Sequence, residues 1–323
     1  MQYQKIKLDL DTKIIEQKLK RTEPLALLGP ISIDYNVEPD GTEVREFGGA
    51  ITYATHTVAR LGVNPYAVVR GEKTVIEASQ IFTAVSDKSR IIIADAKTTN
   101  SIRNQYFDTS HETRTSSLLE RTDTFDFTAL DKAEIKVHTY FLGGLIYGDF
   151  SNQFICDLAK RGQIALDAQC LLRHGTPGAG AMDYRDWQDK QTVLPHVTFF
   201  KVDAKEAEIL TGNKELEVAA KQLTEWGAKE VFLSYHTQML VFDGKQYYRC
   251  KYQPDSLRGR TGRGDTVFSA YITFRQCLDI PTSLLLATAL VSIKMEAPGP
   301  FAGDLEDVVN YADRKCLYIE RTA

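Results

Sequence analysis

The stretch Arg258 to Tyr271, RGRTGRGDTVFSAY, joins a glycine-rich turn to a single acid and then to an apolar, helix-like pattern. Gly262 and Gly264 can adopt backbone conformations that other residues avoid, so successive N–H groups of the turn can converge on one point. The repetition of Val267, Phe268, Ala270, Tyr271, Ile272 and Phe274 predicts a buried helix whose first turn offers unpaired N–H groups and the positive end of its dipole. Asp265 stands at that entrance. A carboxylate there either caps the helix or serves as a base beside bound anionic oxygens, so a capped loop and a phosphate-binding site both stay open. The embedded Arg263-Gly264-Asp265 triplet is not expected to serve adhesion, because the N-terminal residues do not read as a secretion signal.

Other residues join this one as candidates. Asp203 and Glu206, three apart at a predicted helix start, read on their own as capping residues. Asp34 follows an apolar run and is either a turn cap or a buried acceptor of two hydrogen bonds. Asp167-Ala168-Gln169, with Arg173 beyond, follows another apolar run, at the strand end where open α/β sheets bind ligands. Lys294 reads as a solvated lysine at a helix end.

Positioning these groups requires an alternation of strands and helices, and the pattern supplies it. Strands are predicted at 25–28, 66–69, 91–94, 137–142, 164–166, 197–201 and 231–233. Helices are predicted at 50–61, 154–161, 204–210 and 218–226. The expected fold is therefore α/β, a doubly wound, mostly parallel sheet covered on both faces. Two polar stretches break the rhythm, at 35–47 around Pro39-Asp40-Gly41 and at 101–123 around Asp108 to Thr113. They are either strands of a small second sheet lying over a site or ordinary surface excursions. Residues 1–24 are polar, with one weak stripe at Ile14, Ile15 and Leu19, and read as an appendage to a domain spanning 25–323.

Composition narrows the classes. With 323 residues, 43% hydrophobic and 25% charged, the chain can bury a core like an ordinary globular protein. A net charge of −4 and the lack of a basic, aromatic cluster argue against nucleic acid as a partner. No apolar run is long enough for a membrane span, and the expected location is cytoplasmic. Five widely separated cysteines predict free thiols rather than a zinc site or disulfides.

Taken in order, four segments resemble the ribokinase-like (PfkB) family of sugar and nucleoside kinases over roughly residues 25–313. They are Gly29-Pro30-Ile31-Ser32-Ile33-Asp34; Gly48-Gly49 opening a helix that ends Ala59-Arg60-Leu61-Gly62; Lys201-Val202-Asp203-Ala204-Lys205-Glu206; and Thr261-Gly262-Arg263-Gly264-Asp265. The resemblance implies phosphorylation of a sugar, polyol or nucleoside hydroxyl with ATP and Mg2+, in a core domain with a small β lid often used for homodimer contact. It implies Asp265 as base, and the N–H groups of Gly262, Arg263 and Gly264 as the anion hole. Asp34, Gly48 and Gly49, with Asp167 and Gln169, would hold the acceptor. Ser234, Thr261, Gly262 and Gly264 would contact the donor, and Glu206 with Asp203 would hold magnesium.

Several positions depart from the family pattern. Gly259 and Arg260 stand where Asp and Thr are usual, which puts potassium activation in doubt, and Arg263 stands where Ala is usual. Ser234-Tyr235-His236-Thr237-Gln238-Met239 lacks the glycines of a nucleotide loop, and Tyr53 replaces an asparagine, which puts a ribose-type acceptor in doubt. Gly49 to Tyr53, Asn104 to Phe107 and Lys294 to Phe301 resemble inositol-kinase-like members, which makes a polyol such as inositol the leading acceptor. A non-catalytic sugar- or nucleotide-binding member of the same fold is the alternative. A dinucleotide-dependent oxidoreductase is disfavoured because Gly29-Pro30-Ile31 is no dinucleotide fingerprint, and no P-loop is present.

Overall fold

Short apolar runs separated by helical patterns can satisfy both faces of a strand only inside a covered sheet. In a computed structural model, which describes residues 2–85, 89–108 and 113–322, eleven strands form that sheet. Across it lie Tyr3–Ile6, Ile319–Thr322, Tyr247–Lys251, Gln238–Phe242, Glu230–Ser234, Phe199–Asp203, Gln163–Asp167, Thr139–Leu142, Ala26–Pro30, Tyr66–Gly71 and Arg90–Asp95. From Glu230–Ser234 to Arg90–Asp95 every pairing is parallel, and on the other side every pairing is antiparallel.

Alternation along the strands sends side chains to two cores. Leu27, Val69, Phe141, Ala165 and Phe232 face the helices Ala50–Arg60, Arg263–Arg275 and Ile280–Met295. Their neighbours Leu28, Val68, Leu142, Leu166 and Leu233 face Asn152–Leu158, Ala204–Thr211 and Leu216–Glu225. The helix carrying Asp265 is thus fixed by the first core, through Val267, Phe268 and Tyr271.

The two polar excursions form a separate four-stranded sheet in the order Glu43–Gly48, Ser32–Val37, Asn100–Tyr106, Arg114–Glu120. It springs from the large sheet at Ile31, directly after Ala26–Pro30, which places Asp34 where the two sheets part. Of the turn predicted at Asp108 to Thr113, residues 109–112 lie outside the described residues.

The N-terminal residues are built into this architecture. Tyr3–Ile6 pairs with Ile319–Thr322 as the last strand of the large sheet, and the helix Thr12–Leu19 buries Ile15 and Leu19 in the first core. Asp11 caps that helix by accepting from the Ile14 N–H at 3.1 Å. Among the described residues no helix is long and apolar enough to cross a membrane.

Candidate active site

The glycine turn meets the C-terminal ends of the parallel strands. Gly262 has φ +74°, and a methyl group on it would lie 2.3 Å from the Tyr53 ring, so both conformation and packing require glycine. Gly262 occupies the N-cap position of Arg263–Arg275 and no side chain caps this helix, so Asp265 is not consumed as a cap. The Arg263 N–H donates to the Arg260 carbonyl at 3.2 Å. The converging donors expected at Gly262, Arg263 and Gly264 are therefore reduced to those of Gly262 and Gly264. The Arg263 side chain reaches the Tyr252 hydroxyl at 3.4 Å, and that hydroxyl donates to the Tyr235 carbonyl at 2.9 Å. Arg263 thereby ties the turn to the Ser234–Gln238 hairpin.

Burial pushes the Asp265 carboxyl up to about 6, with the like charge of Asp167 adding to the rise and Lys201 and Lys294 opposing it. Lys201, in the middle of Phe199–Asp203, lies 3.0 Å from both carboxylate oxygens of Asp167 and 3.8 Å from Glu206. All three side chains are buried. Burial alone would lower the Lys201 ammonium, yet Asp167, Glu206, Asp203 and Asp265 lift it above the ordinary lysine value. Asp167 therefore stands with Asp265 and Lys201. Gln169 gives its backbone N–H to Asp167 at 3.0 Å.

Asp203 and Glu206 form a capping box, each carboxylate accepting the other's backbone N–H at 2.7 Å. Burial raises the Glu206 carboxyl against the pull of Lys201. Among the described residues no three His, Cys, Asp or Glu side chains are grouped to chelate a metal directly. Each carboxylate uses one oxygen in the box and keeps another, which suits a magnesium ion held through water and not one caged by protein. Ser234 is buried beside Asp203 in the parallel register.

At the other end, Asp34 Oδ1 is buried without a hydrogen-bond partner, and burial raises the carboxyl despite Ser32, Arg114 and Arg173. A methyl on Gly48 would sit 2.5 Å from Asp34 Oδ2, and Gly49, at φ +113°, leads into Ala50–Arg60. Tyr53 stands within electrostatic reach of both acids, and Asp265 and Asp34 add to the rise that burial gives its hydroxyl. Arg173 is 7% exposed, and among the described residues no hydrogen bond or ion pair engages its guanidinium. An unpaired acceptor at Asp34 and an unpaired donor at Arg173, within electrostatic reach of one another, suit a ligand that carries both hydroxyl hydrogens and oxygens.

The sequence assigns Lys201 no role; the available signal is its position directly after the apolar pair Phe199-Phe200 of a strand. Lys294 departs from expectation outright. It is 3% exposed, with its ammonium donating to the Gly259 carbonyl at 2.6 Å and to that of Thr261.

No protein-family model matches the chain, and no curated protein matches it. Solved structures do. A pyrophosphate-dependent kinase in the ribokinase family, complexed with a pyrophosphate analogue and myo-inositol, is 30% identical with a TM-score of 0.77, covering 88% of this chain and 99% of that one. A pyrophosphate-dependent myo-inositol-1 kinase, converted into a myo-inositol-3 kinase by two substitutions, is 27% identical with a TM-score of 0.77, covering 90% and 99%. Ribokinase of Arabidopsis thaliana, complexed with ribose and ATP, is 17% identical with a TM-score of 0.71, covering 90% and 98%, a likeness of fold.

Proposed function

The chain belongs to the ribokinase family and is a phosphotransferase with a hydroxyl acceptor; we propose that the acceptor is a cyclic polyol of the inositol type and the donor inorganic pyrophosphate. The observation that carries the reading is a pair of acids within electrostatic reach of Tyr53, an unpartnered Asp34 and, at a glycine turn, an Asp265 not used as a cap. Asp34 accepts from a polyol hydroxyl and Arg173 donates to a neighbouring one, which turns the reacting hydroxyl toward Asp265. With its carboxyl at about 6, Asp265 is ionised at neutral pH yet basic enough to take that proton as the oxygen attacks phosphorus. The bond to the leaving phosphate breaks as the new ester forms, and the Gly262 and Gly264 N–H groups face the charge on the transferring group. Asp203 and Glu206 would hold Mg2+ through water, and the ion would neutralise donor charge when bound.

Pyrophosphate as donor is supported by the two relatives and by the hairpin. Tyr235 packs on His236 with ring centroids 3.8 Å apart, and His236 and Met239 stand where a nucleotide loop has glycines, while Arg263 and Arg260 both act on neighbouring Tyr252. ATP, the donor implied by sequence resemblance, is the competing outcome of one test. Initial rates with pyrophosphate or ATP are measured against myo-inositol, ribose and adenosine. Myo-inositol with pyrophosphate should turn over fastest. Turnover with ATP alone would overturn the donor assignment, and polyol binding without turnover from either donor would favour the non-catalytic alternative.

A further inference from the structure

Lys294 closes the helix Ile280–Met295 beneath the glycine turn. The turn rests on that helix end: the Gly259 N–H donates to the Met295 carbonyl at 2.8 Å, and a methyl on Gly259 would lie 1.7 Å from the Ala297 carbonyl oxygen. The buried ammonium gathers the Gly259 and Thr261 carbonyls and stands 5.4 Å from the centre of the Tyr53 ring, which packs under Gly262. Two peptide oxygens are thus turned onto one monovalent charge, as carbonyls turn toward a bound cation.

The peptide geometry gives this contact a direction. The Thr261 carbonyl and the Gly262 N–H belong to one planar trans peptide group and point opposite ways. Holding the oxygen inward on Lys294 therefore turns the Gly262 N–H outward, on the side away from the ammonium. We propose that Lys294 is a positioning residue, a tethered monovalent cation that aims the Gly262 N–H at the transferring phosphoryl group and makes the reaction independent of added alkali ions. The inference rests on the phosphotransfer reading above.

Lys294→Met keeps the aliphatic stem and removes the charge. In choline chloride its kcat should fall about 10²-fold, the usual effect of losing an anion-hole donor, with the acceptor KM little changed. Ammonium or potassium chloride at equal ionic strength should restore at least about tenfold of that loss, as expected if a free ion reoccupies the carbonyls. Wild-type rates should be the same in choline, potassium and ammonium salts. Pyrophosphate binding by calorimetry supplies a readout separate from turnover: it should weaken in the variant and recover with ammonium. A variant with near wild-type kcat, a loss that is equal in all three salts, or a wild type activated by potassium beyond ionic strength would each overturn the proposal. If the variant does not fold, the wild-type salt comparison still decides. Pyrophosphate binding that behaves as predicted without any phosphoryl transfer would sink the kinase reading and leave Lys294 as the organiser of the anion site.

Discussion

Replacing Lys201 with methionine removes the cation that pairs with Asp167 and Glu206 and leaves their buried carboxylates uncompensated. At 3.0 Å, one ion pair is worth about 5–6 kcal/mol for an effective dielectric constant of about 20. Removing one partner of a buried pair costs about 3–5 kcal/mol after relaxation. For a chain of 323 residues that corresponds to a fall in Tm of about 4–7 °C. The sign of the pH dependence follows from linkage. The Glu206 carboxyl is already raised by burial, and loss of Lys201 raises it and its neighbours further. The folded variant then holds more protons than the unfolded chain, so its stability falls as pH rises through that window. Lys201→Met should thus melt well below the wild type at about pH 8 and approach it at about pH 5, and Asp167→Asn added to it should recover part of the loss. Thermal denaturation followed by circular dichroism at both pH values checks this. A deficit that is equal at both, or a variant as stable as the wild type, would refute the buried-charge argument.

Asp265 must be ionised to accept a proton, so activity should climb as pH rises through about 6, and Asp265→Asn should lose about 10²-fold or more in kcat. A rate profile flat through that range would count against Asp265 as the base. Gly48→Ala drives a methyl to 2.5 Å from Asp34 Oδ2 and 2.9 Å from Ser32 Oγ; it should lower acceptor kcat/KM by about 10²-fold through misplacement of Asp34, and unchanged kinetics would detach Asp34 from the acceptor. Arg173→Met removes a buried, unpaired charge. It should raise the acceptor KM by about tenfold or more while leaving Tm equal or higher, because the hydrogen bond lost is to ligand and the desolvated charge is gone. A lower Tm with unchanged KM would make Arg173 a structural residue instead.

Local signals announced most of the parallel sheet, because its strands are short apolar runs bounded by helices with clear caps, as at Asp203 and Glu206. The small sheet was visible as alternation in 35–47 and 101–123, although only tertiary pairing of Ser32–Val37 with Asn100–Tyr106 makes it a sheet. The antiparallel half was not foreseen. Tyr3–Ile6 and Ile319–Thr322 are four-residue strands at opposite chain ends, and no window contains both. The same limit applies to the site. Asp34, the glycine pair and the Gly262 to Asp265 turn lie in contiguous motifs, whereas the environments of Lys201, Lys294 and Arg173 are made by segments far apart in sequence. Lys294 shows this best: nothing around it in the chain tells a solvated helix end from an ammonium buried under a turn 33 residues earlier.

Under the proposed function, phosphate passes directly from pyrophosphate to a polyol hydroxyl at Asp265. Radiolabelled pyrophosphate is incubated with myo-inositol, magnesium and either the wild-type protein or Asp265→Asn, and the products are separated. Such a transfer should place label in an inositol phosphate ester for the wild type and almost none for the variant. Label released only as free phosphate, or equal ester formation by both proteins, would contradict it.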